Sequence, residues 1–71
     1  MNESLPVLME NSIQIAWDYL ERTGEIEDSA LASRFLVNIV DAMVRKGERS
    51  RLVISNKAII AYQRFKERNA A

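Results

Sequence analysis

DSALASRFLVNIVDAMVRKG, residues 28–47, is the stretch on which the fold turns. Asp28 is a good N-cap type, its carboxylate able to accept from the first unpaired backbone N–H groups, and Gly47 suits the left-handed position just past a helix. Between them, Ser29 to Lys46 contains neither Pro nor Gly and is predicted as one helix of about five turns. On a helical wheel Leu31, Ala32, Phe35, Leu36, Val37, Ile39, Val40, Ala42, Met43 and Val44 spread over about 220°. Only a narrow polar stripe is left, Arg34, Asn38, Asp41 and Arg45. A helix this apolar has to be covered on more than one side.

The flanking segments supply the cover. Upstream, Ser4 is placed to cap a helix over about 5–22, Pro6 falls in its first turn where a missing N–H costs nothing, and Thr23-Gly24 ends it. Its apolar residues, among them Leu5, Leu8, Ile13, Ala16, Trp17, Tyr19 and Leu20, fill roughly 200°. Downstream, Ile54, Ala58, Ala61, Tyr62 and Phe65 share one face, with Asn56, Lys57, Gln63, Arg64 and Glu67 opposite and Ile60 stranded among them. This third helix ends near 68 and begins near Ser50 or near Ser55, since either serine can cap it; a continuous helix from Ser50 is favoured. The expected fold class is all-α, a compact antiparallel three-helix arrangement in a single domain spanning 1–71, frayed at 1–3 and 69–71.

The width of the apolar arcs carries the first functional expectation. A monomeric bundle needs a stripe of little more than 100° on each helix, and the first two helices exceed that nearly twofold. The excess, assigned to Trp17, Leu36, Val37, Val40, Met43 and Val44, points to a covering partner, for which a second copy of the chain in a homodimer is the simplest choice. The stripe Arg34-Asn38-Asp41-Arg45 then sits at the core edge or across the dimer axis, fixing register. A domain of 71 residues buries only about 60% of its unfolded surface, so it gains from such help.

Composition narrows the chemistry. There is no Cys and no His, which removes disulfides, thiolate zinc sites, thiol redox and every Ser-His or Cys-His nucleophile. The two glycines are isolated, so no phosphate-cradling loop is formed, and no cofactor is expected. Glu25, Glu27 and Asp28 precede a helix start, where acids oppose the macrodipole rather than form a catalytic pair. No apolar run nears the roughly 18 residues of a membrane span, and Glu3 and Glu10 interrupt any signal-like stretch, so a cytoplasmic protein is expected.

Net charge is zero, but it is unevenly spread along the chain. Residues 1–36 carry seven acids against two bases, and residues 37–71 eight bases against three acids. One reading of the basic half is a helix-turn-helix that offers Arg49, Arg51, Lys57 and Arg64 to nucleic acid. The other assigns Arg45, Lys46, Arg64, Lys66 and Arg68 to helix C-termini, where cations are favoured, and leaves Arg49 and Arg51 to pair with the Glu25–Asp28 loop or the first helix of the same or another subunit. A neutral domain with an acidic first helix favours the second reading. The sequence therefore predicts a non-catalytic, homodimeric interaction or structural module, acting as adaptor, regulator or subunit, with another protein as a further partner and nucleic acid as the alternative.

Overall fold

The computed structural model of the chain describes residues 4–69, which form three helices: α1 (Leu5–Arg22), α2 (Ser29–Arg45) and α3 (Arg51–Asn69). Each packs on the other two. The side chains of Tyr62 and Lys66 near the end of α3 reach Glu25 in the α1–α2 loop, so the helices run up, down and up, with α3 parallel to α1. The bundle measures 42 × 22 × 18 Å.

The helix ends follow from local chemistry. Ser4 Oγ accepts from Val7 N at 3.4 Å, with Pro6 inside the first turn, and Thr23 caps the other end of α1. Asp28 Oδ1 accepts from Leu31 N at 3.1 Å. The loops turn at Gly24 (φ 73°) and Gly47 (φ 107°), a left-handed conformation that costs a side-chain-bearing residue energy. Replacing Asp28 by Ala removes an N-cap and should cost about 1 kcal/mol. A thermal melt should show it as a fall of roughly 4–8 °C, and an unmoved midpoint would mean that the cap bond contributes nothing.

α3 starts at Arg51 and runs without interruption. Ser50 is its cap, its Oγ accepting from Val53 N at 3.3 Å and its carbonyl from Ile54 N at 2.9 Å. Ser55 is thus no cap: it lies buried inside the helix, its hydroxyl donating to Leu52 O at 3.1 Å. The helix extends to Asn69, whose side-chain amide donates to Phe65 O at 2.8 Å. Of the expected frayed ends, 1–3, 70 and 71 lie outside the described residues.

The core follows rows of i, i+4 spacing. On α1 the buried row is Leu8, Ser12, Ala16 and Leu20; on α2 it is Ala32, Leu36 and Val40, continued by Met43 and Val44; on α3 Ile54, Ala58 and Tyr62 are joined by Ser55 and Ile59. Ser12 was not legible as a core position, and its hydroxyl is satisfied within its own helix by Leu8 O at 2.8 Å. Leu5 and Tyr19, assigned to the apolar arc of α1, are instead exposed, because they flank the buried row.

Candidate functional site

The α1–α2 loop is fastened to α3 through Glu25. Lys66 Nζ donates to the Glu25 carbonyl at 2.6 Å and Tyr62 Oη donates to the same oxygen at 3.4 Å. Gln63 Nε2 donates to the Glu25 carboxylate at 3.2 and 3.3 Å, and Thr23 Oγ1 donates to it at 2.6 Å. A groove opens beside this junction, lined by Glu27, Asp28 and Glu67 at the rim and by Leu31, Tyr62 and Phe65 below. Phe35 stacks on Phe65 with centroids 4.8 Å apart and meets Tyr62 edge-on at 5.7 Å, so the groove has an aromatic floor tied to the core.

Burial raises the pKa of the Tyr62 phenol, and the charges of Glu27, Asp28 and Glu25 push it in the same direction. The folded state therefore holds this proton to higher pH than the unfolded chain, whose tyrosines ionise near about pH 10. Below that pH the stabilisation is undisturbed, and it falls as pH rises further, because the folded state then binds more protons than the unfolded one. Tyr62→Phe should flatten the stability loss above about pH 10 relative to the wild type; equal slopes for the two proteins would remove Tyr62 from the alkaline transition.

The acidic loop is thus met by Gln63 and Lys66, not by Arg49 and Arg51, which lie at the opposite end of the bundle. The reason is topological. With α3 parallel to α1, its C-terminal bases return to the α1–α2 loop, while Arg49 sits at the α2–α3 turn. There Arg49 Nη1 donates to Val44 O at 2.9 Å and to Glu48 O at 2.8 Å, closing the end of α2. Lys57 Nζ is 2.8 Å from a Glu48 carboxylate oxygen. Arg51 and Arg64 are exposed on α3. Of the residues offered to nucleic acid, Arg49 and Lys57 are therefore engaged at the α2–α3 turn.

The polar stripe of α2 is brought together only in part. Arg45 Nε lies 2.8 Å from Asp41 Oδ2 in an i, i+4 pair, and Arg34 and Asn38 are exposed on the same side. The row faces outward rather than the core. An exposed pair of this kind contributes roughly 0.3–0.5 kcal/mol.

The residues assigned to a dimer interface divide. Leu36, Val40, Met43 and Val44 are buried within the chain itself, because α2 is covered by α1 on one side and by α3 on the other. Leu36 and Val40 have no surface to offer a partner in this fold, and Val44 and Met43 keep only 5% and 9%. Trp17 is half-buried against the core, and Val37 is exposed. Sequence reasoning missed the residues left partly uncovered along the α2/α3 seam, Leu31, Phe35, Ile39, Ala61 and Phe65. Their helical spacing was visible, but it does not say which two helices they lie between.

Among the described residues no three acidic, His or Cys side chains are grouped to hold a metal ion, and no helix is long and apolar enough to cross a membrane. The class defined by these features is a small up-down-up three-helix bundle with an acid-rimmed aromatic groove at one end. Compared with protein-family models, with curated proteins and with solved structures, the chain matches none.

Proposed function

We propose that this protein is a non-catalytic helical interaction module that works as a homodimer, in the role of an adaptor, regulator or subunit. The observation that carries the reading is the apolar surface remaining after the bundle has closed. Leu5, Val7, Leu31, Val37, Val53 and Ile60 are exposed, and Leu52 is 64% exposed. Scattered apolar side chains are ordinary on a protein surface, but so many on so short a chain support association with another apolar face.

Sedimentation or light scattering at tens of micromolar tests this directly. Twice the 8.1 kDa chain mass is the expected result, and a single-chain mass at that concentration would overturn the homodimer. The nucleic-acid alternative loses support from the commitments of Arg49 and Lys57. Titrating duplex DNA at two salt concentrations should show no salt-sensitive binding below about 100 μM, whereas such binding would favour the alternative.

A further inference from the structure

The geometry points to one mode of self-association: a second copy laid antiparallel across the α2/α3 seam, so that the acidic groove of each protomer receives the basic turn of the other. The inference rests on the homodimer reading above, and of the exposed apolar side chains behind that reading it uses Leu31.

The seam is apolar along its length and incompletely covered. On α2, Leu31, Phe35 and Ile39 follow at i, i+4 spacing, and Ala61 and Phe65 have the same spacing on α3. The stacked pair Phe35 and Phe65 places these rows side by side, yet none of the five is fully buried, and Leu31 is 39% exposed. Each end of the seam opens into a hollow. At one end Glu27, Asp28 and Glu67 rim the groove over Leu31 and Phe65 and outnumber Lys66, whose Nζ lies 3.9 Å from Glu27. At the other, Met43 and Gly47 line a hollow in which the bases Lys46 and Lys57 outnumber Glu48.

The two hollows thus differ in charge, and they lie on the same pair of helices. Along α2, the 18 residue steps from Asp28 to Lys46 span about 27 Å. A two-fold axis through the seam between Phe35 and Ile39 carries the acidic hollow of one copy onto the basic hollow of the other, and does so twice. Such a contact is closed and uses the same patch on both partners, the common arrangement of small dimers. A parallel pairing would set acid against acid and base against base. Charge complementarity therefore selects both the occupant, a second copy, and its direction.

The test uses the full chain and exposed residues, of which Glu27 has a 3.9 Å contact with Lys66. Glu27 is exposed, with its side chain 82% accessible, and Lys46 is exposed beyond the end of α2. Dimer dissociation constants are measured by sedimentation at low salt for the wild type, Glu27→Lys, Lys46→Glu and the double variant, with helicity checked by circular dichroism. Each single reversal acts at two symmetric contacts and is expected to weaken the dimer about thirtyfold, and the double variant to restore it. Dimers that hold unchanged in both single variants, or a double variant as weak as either, would overturn the antiparallel seam while leaving the homodimer standing. A monomeric wild type would overturn both.

Discussion

Leu36→Ala is expected to lower the stability of the bundle by about 3 kcal/mol. Leu36 is fully buried in the middle of α2, the helix that both others cover, so truncation leaves a cavity that no single neighbour can move to fill. A chain of 71 residues has a total stability of only about 4–11 kcal/mol, so this one change removes a large share of it. The thermal midpoint should fall by about 15 °C. Val37 supplies the control, because it adjoins Leu36 in sequence but is 42% exposed. Val37→Ala should stay within about 0.5 kcal/mol of the wild type. Equal losses in the two variants would contradict the orientation of α2.

Tyr62→Ala is the second large effect, at about 4 kcal/mol, against about 1 kcal/mol or less for Tyr62→Phe. Tyr62 is 3% exposed and packs against both Phe35 and Phe65, so the ring supplies buried area at the meeting of α2 and α3. Its hydroxyl makes a 3.4 Å bond to Glu25 O, an acceptor that Lys66 already serves at 2.6 Å, so losing that bond alone costs little. Urea denaturation of the two variants separates ring from hydroxyl. If Phe proves as damaging as Ala, the loop junction rather than the aromatic cluster governs stability at this end.

The contrast between Leu36 and Val37 also shows where sequence reading stops. Caps are local events, and Ser4, Asp28, Gly24 and Gly47 could be placed from their neighbours alone. Ser50 and Ser55 are the same residue type, and only the packing of α3, which buries Ser55, separates them. The wide arc of α2 was read as surplus because a stripe of little more than 100° was taken to suffice for a bundle helix. Two helices cover it, with Phe35 turned toward α3 and Leu36, Val40 and Val44 buried. Likewise, the division of charge along the chain becomes a division in space only in part: the Glu25–Asp28 end stays mostly acidic, but Lys66 returns to it. The groove and the seam were hidden for the same reason: each is built from two elements, and periodicity describes one at a time.

The fastening of Glu25 to Gln63 and Lys66 has a consequence for how the chain comes apart. The α1–α2 loop has the composition of a ready protease target, with three acidic residues between Gly24 and Ser29, yet its backbone is held by a helix some forty residues further along. A glutamate-specific protease therefore has to wait for the end of α3 to lift away before the loop can fit its cleft. Where reclosing outpaces cutting, the nicking rate measures the fraction of molecules in which that end is open. The loop becomes a built-in gauge of how firmly the last turns of the chain are seated.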